Sequence, residues 1–173
     1  MIVTPSEFKG FFKSSQNSYS KPELQLFIDK FEKLFLCRLL GANLYEEFIA
    51  DLLDGVPQSQ KFIDIFNAFC KNEGRCLYQS EGMKEMLKGF LFYEYTTTTN
   101  FQHTIAGVQQ NESDNTTQAS VENIYRNGEQ RFNLSVETYR SIQWFICDNY
   151  DDYFSDTVED SMQPIKPTFQ GIL

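Results

Sequence analysis

Glu94 is the carboxylate whose setting could do chemistry, because it shares one helical stripe with Leu87, Phe90 and Leu91. Burial would raise its pKa, and with a tyrosine nearby it would have the means for general acid–base work. A residue so placed also serves as a hydrogen-bonded structural carboxylate, and that is the reading adopted. The single histidine, His103, lies in a polar stretch remote from any predicted scaffold, so a Ser-His-Asp or Cys-His system has nothing to hold it. Neither G-x-x-x-x-G-K nor G-x-G-x-x-G occurs. The acidic run from Asp148 fails the calcium-loop pattern, since Tyr150 takes its third position and the glycine is missing. Cys37, Cys70, Cys76 and Cys147 form no C-x-x-C pair, and a structural zinc site wants such close pairs. Three of them fall in predicted helices beside apolar residues, which suggests free buried thiols in a reducing compartment. The expectation is a non-enzymatic protein without cofactor or metal.

The elements that would carry these residues are helical. Thr4-Pro5-Ser6-Glu7 is a capping box with proline at the first helical position, and predicts a short helix bearing Phe8, Phe11 and Phe12. Ser14 to Ser20 reads as a loop. From Ser20-Lys21-Pro22-Glu23 onward, Leu24, Phe27, Ile28, Phe31, Leu34, Phe35 and Leu39 recur at helical spacing. Asp29, Lys30, Glu32 and Lys33 take the opposite face, and Gly41 is a stop. Leu44, Phe48, Leu52 and Leu53 make a second helix that ends at Asp54-Gly55-Val56-Pro57. Ser59 caps a third, carrying Phe62, Ile65, Phe66 and Phe69 as far as Gly74, and Arg75 to Gln79 reads as a connector. Ser80 then caps the central helix, which is apolar on most sides and therefore buried. Gly89 in its middle either admits a close neighbour or is simply tolerated, at about 1 kcal/mol against alanine.

At Thr96 this apolar helix gives way to a polar run that extends to Gln118. Four consecutive threonines favour extended backbone, and Thr104-Ile105-Ala106-Gly107-Val108 is a β-compatible patch. A polar run this long belongs on a surface. An extended arm there could add strands to a neighbour's sheet, with Thr98, Phe101, Thr104, Ile105 and Val108 as its contact residues. The last long helix begins near Thr117 or Ser120. Its stripe, Val121, Ile124, Tyr125, Gly128, Phe132, Val136, Tyr139, Ile142 and Ile146, stays in phase through Gly128. Trp144 falls off that stripe, at the expected edge of the core. Beyond Asp148 an acidic end leads into Pro164 to Leu173, where two prolines forbid a helix. Ile165, Phe169, Ile172 and Leu173 are left as anchors for a partner or for the protein's own surface.

The expected fold is therefore mainly α: a bundle of about four to six helices over 1–150, with an extended or β-hairpin arm at 96–118 between the last two main helices. An acidic, extended tail follows over 151–173. The 173 residues suffice for one core, and the 17 phenylalanines predict that it is built of aromatic rings. A net charge of −9 argues against wrapping nucleic acid, though not against a surface that nucleic acid passes. Met1 to Glu7 lacks a basic region followed by an apolar run, so no signal peptide is expected, and no stretch approaches the roughly 20 apolar residues of a bilayer span.

Leu39-Leu40-Gly41-Ala42-Asn43-Leu44-Tyr45-Glu46-Glu47-Phe48, Gly82 to Tyr95, Thr104 to Asn115 and Tyr139 to Asn149 together resemble the head-to-tail connector (adaptor, or ring) proteins of tailed phages, most closely those of crAss-like phages. The likeness spans most of Leu24 to Asn149; the N-terminal helix and the acidic tail lie outside it. It implies a homo-oligomeric ring, typically of twelve copies, at the portal–tail junction of a virion assembled in the host cytoplasm. Such a ring touches the portal and adjacent tail or ring proteins and extends the DNA channel, with no specific DNA binding and no membrane. The alternative is a soluble interaction module, a chaperone or regulator that binds one partner.

Overall fold

The computed structural model describes residues 1–12, 20–73, 76–99, 101–104, 107–110 and 121–150. Helix α1 spans Ser20–Asp51, and Gly41 (φ 71°, ψ 170°) breaks it into two where the sequence places a stop. Leu24, Ile28, Phe35, Leu36, Leu39 and Leu40 are buried on the first half, Leu44 and Phe48 on the second. Two residues depart from the expected faces. Leu34 is 40% exposed, and Glu32 is buried rather than solvated. The cause at Glu32 is a partner distant in sequence: its carboxylate accepts the backbone N–H of Ile2 (3.0 Å) and of Val3 (2.9 Å), both themselves buried.

The predicted N-terminal helix is instead a pair of 3-10 turns, Pro5–Glu7 and Gly10–Phe12. The cap is real, with Thr4 N–H donating to the Glu7 carboxylate at 2.8 Å, but Phe8 leaves helical geometry (ψ 77°) and Gly10 turns to φ 61°.

After α1, strands β1 (Leu52–Leu53) and β2 (Val56–Pro57) form a tight hairpin. Asp54 (φ 52°) and Gly55 (φ 78°) supply the two positive φ angles that such a turn demands. Leu53 is consequently an exposed strand residue and not part of a helical stripe. Helix α2 is short, Gln60–Phe66, with Phe62 and Ile65 buried. It stops well before Gly74, because Asn67 turns extended (φ −80°, ψ 163°).

The next two segments overturn the predicted helix tail and connector. Phe69–Glu73 is strand β3, Cys76–Ser80 is strand β4, and they pair antiparallel from Phe69↔Ser80 to Glu73↔Cys76. Phe69, Lys71 and Tyr78 turn inward and are half-buried, while Cys70, Asn72, Leu77 and Gln79 are exposed. That period of two is what a sheet with one covered face requires.

Helices α3 (Met83–Thr99) and α4 (Val121–Asn149) make the most extensive packing in the molecule. Met83, Met86, Leu87, Phe90 and Leu91 of α3 meet Phe132, Val136, Tyr139, Ile142 and Ile146 of α4, all buried. The core is an aromatic ladder, as the phenylalanine content predicts. Phe90 stacks on Phe35 with centroids 4.8 Å apart, and also contacts Phe132 at 5.1 Å and Tyr139 at 6.2 Å. Gly89 is the point of closest approach between the helices. A Cβ there would lie 1.9 Å from Ser135 Oγ and 2.9 Å from the Arg131 carbonyl oxygen, so the close-neighbour reading holds. The last helix runs unbroken through Gly128, and Trp144 packs at the core's edge, stacked on Tyr78 at 3.6 Å.

The architecture is thus mainly helical, with a β-hairpin arm between the last two main helices. Strands β5 (Phe101–Thr104) and β6 (Gly107–Gln110) form that arm. The tail over 151–173 lies outside the described residues.

Candidate functional site

The arm begins in the last turn of α3. The four threonines were expected to be extended, yet Thr96 to Thr99 remain helical. Two of the hydroxyls bond back to the preceding turn. Thr96 Oγ1 donates to the Phe92 carbonyl at 2.8 Å, and Thr97 Oγ1 donates to the Tyr93 carbonyl at 2.8 Å. Such bonds satisfy the hydroxyls within the helix without adding to its stability. Thr98 is exposed on this turn.

From Phe101 the backbone is extended, and the hairpin register is Phe101↔Gln110, Gln102↔Gln109, His103↔Val108 and Thr104↔Gly107. The two strands pair with each other only, and β5 meets the end of α3. Each strand therefore has a second edge with no strand beside it among the described residues. A lone two-stranded hairpin is marginally stable, and an open edge is a template for another strand. Of the expected arm contacts, Phe101, Thr104 and Val108 are in this hairpin, Thr98 leads into it, and Ile105 lies outside the described residues. Ile165, Phe169, Ile172 and Leu173 lie outside them as well. His103 sits on β5, opposite Val108.

Glu94 is half-buried on α3, facing α1. Desolvation raises its carboxyl above the ordinary range, and Lys30 and Arg38 of α1 partly oppose that rise. Because its folded pKa is raised, the folded state takes up a proton before the unfolded chain does. The charged form is then a liability at neutral pH, relieved as pH falls into the carboxylate range. Glu94→Gln is expected to keep or slightly raise the denaturant midpoint at pH 7, and the difference from wild type should vanish near pH 4. Urea titrations at the two pH values check this.

Cys70 and Cys147 are exposed and Cys37 is partly buried, so the picture of uniformly buried thiols does not hold. Among the described residues no group of three His, Cys, Asp or Glu side chains could hold a metal ion, and no helix is long and apolar enough to cross a membrane.

Tyr150, at the exit of α4, is pinned to the bundle. Its hydroxyl donates to the Lys61 carbonyl of α2, its ring meets Phe145 edge-on at 6.3 Å, and burial pushes its pKa up to about 12. The C-terminal end of α4 is thereby fixed beside α2.

Sequence reasoning missed β3–β4 as a second open hairpin. The sequence carries little sign of it: Phe69-Cys70-Lys71-Asn72-Glu73 does not alternate in polarity, and Phe69 continues the helical spacing of Phe62, Ile65 and Phe66. No family model, curated protein or solved structure matches this chain.

Proposed function

We propose that this chain is a structural, non-catalytic subunit of an oligomeric ring that joins a virion portal to the tail and extends the DNA channel. The observation that carries the reading is the β5–β6 hairpin, set at the end of the buried central helix with no third strand beside it among the described residues. An arm of this kind gains main-chain hydrogen bonds when a neighbour supplies a strand. The resemblance of Leu39 to Phe48, Gly82 to Tyr95, Thr104 to Asn115 and Tyr139 to Asn149 to phage connector proteins supplies the setting. The net charge of −9 suits a lumen that DNA slides through without adhering. In a ring every contact is heterologous, one face of a subunit meeting a different face of the next. The hairpin, together with Ile165, Phe169, Ile172 and Leu173, serves such contacts with sister copies and with the portal or adjoining tail proteins.

The test compares the full chain with one in which residues 100–110 are replaced by a short Gly-Ser linker. Negative-stain images of the full chain are expected to show rotationally symmetric rings. The shortened chain should keep its helical circular dichroism and lose the rings. Rings that survive the replacement contradict the role of the arm. An intact chain that stays monomeric or dimeric at assembling concentrations favours the chaperone or regulator reading.

A further inference from the structure

Among the described residues there are three two-stranded hairpins; β1–β2 has only two residues a strand, and the two longer ones, β3–β4 and β5–β6, stand at opposite ends of α3. β3–β4 leads into the N-terminus of α3, and β5–β6 follows its C-terminus. α3 has 17 residues, about 25 Å at 1.5 Å per residue. The hairpins remain separate two-stranded sheets within the chain.

β4 is the strand packed along α4, with Tyr78 stacked on Trp144. The inner face of β3 is fixed too, through Phe69 against Phe145 at 5.3 Å and Lys71 Nζ 4.0 Å over the Phe145 ring. Among the described residues no strand lies along the other edge of β3. In the second hairpin both strands have a free edge among the described residues; β5 continues directly from α3, and β6 is the strand further from that helix along the chain.

We propose that β6 of one copy pairs with the β3 edge of the next copy, forming a four-stranded sheet across the contact. This rests on the ring reading above and adds the surface that receives the arm. Four observations favour a second copy as the occupant. The strands match in length, four residues in β6 and five in β3. β5 and β6 contain no lysine, acidic residue or proline, the usual guards of an exposed edge. The two edges belong to unlike ends of one molecule, so their union is heterologous and repeats from copy to copy, as a ring requires. Pairing of β6 with another β6 would instead leave β3 uncovered in every copy.

Exposed Cys70 on β3 supplies the probe. In a background carrying Cys37→Ser, Cys76→Ser and Cys147→Ser, single cysteines replace Val108, Gln109 and Gln110 in turn. The assembled protein is then oxidised and run on non-reducing gels. Because successive side chains of a strand point to opposite faces, only one parity of β6 shares a face with Cys70. Either Val108→Cys and Gln110→Cys, or Gln109→Cys alone, should link to Cys70 about tenfold more than the other parity. Equal linkage at all three positions, no linkage, or linkage that persists after Cys70→Ser overturns the proposal. Amide exchange on the unmodified chain is the second measurement. β3 and β6 should both be slower in rings than in dissociated subunits, and unchanged exchange overturns the pairing. Rings that fail both measurements remove this contact and leave the ring reading in place, whereas a chain that never assembles removes both.

Discussion

Glu32→Ala is expected to lower unfolding stability by about 3 kcal/mol or more. The carboxylate is 8% exposed and takes both the Ile2 and the Val3 backbone N–H, with Oε2 2.9 Å from Val3 N. Alanine leaves two donors in a dry setting, and each unsatisfied buried donor costs roughly 1–3 kcal/mol. The loss spreads further, because Ile2 (2% exposed) and Val3 (0%) fill the core beside α1. A segment freed from Glu32 withdraws two apolar side chains, each worth roughly 1.5–3 kcal/mol when buried. For a chain of this size the melting temperature should fall by about 10 °C. Glu32→Gln keeps one acceptor oxygen of the two and should fall between alanine and wild type. Thermal melts of the three proteins decide the matter; a change under about 0.5 kcal/mol for alanine would mean that the segment is held by its side chains alone.

Gly89→Ala is the second large effect, and its sign runs against helix propensity. In an exposed helix interior the change would gain about 1 kcal/mol. Here the added methyl meets Ser135 Oγ at 1.9 Å, the Arg131 carbonyl oxygen at 2.9 Å and Ser135 Cβ at 3.2 Å. The hydroxyl can rotate away, but the carbonyl belongs to the backbone of α4 and cannot. The two helices must separate, at an overpacking cost typically of about 1–3 kcal/mol. Net destabilisation of about 1–2 kcal/mol is expected in urea titration. Ser135→Gly on top of Gly89→Ala should recover part of it, a coupling that a double-mutant cycle reads directly. A stabilised Gly89→Ala would show that α3 and α4 do not approach as closely as Gly89 permits.

These two residues also mark where the sequence was legible and where it was not. The stripe on α4, from Phe132 through Ile146, follows from a period that every residue in it obeys, and it is buried as expected. Gly41 and the Asp54-Gly55 turn were readable because glycine conformations are local. Glu32 was not readable. Periodicity assigns it to a polar face, and only a backbone segment thirty residues away in sequence makes that face dry. The threonines at the end of α3 misled for a related reason: their intrinsic preference is extended, but they continue a helix whose preceding turns are packed in the core, with the Thr96 and Thr97 hydroxyls bonded back to Phe92 and Tyr93. β3–β4 was lost because Phe69 to Glu73 does not alternate in polarity, while Phe69 itself continues a helical spacing. The arm was legible as an arm, since a polar run with a short β-compatible patch has little else to form. Its contact residues are expectations carried by the hairpin's open edges. Those in the tail follow from composition alone.

The central claim is that copies of this chain assemble head to tail into a ring. Native mass spectrometry of the intact chain tests it most directly. The account predicts a closed species whose mass is an integral multiple of the 20.2 kDa subunit, at or near twelve copies. A single species of 20.2 kDa at every concentration would contradict it.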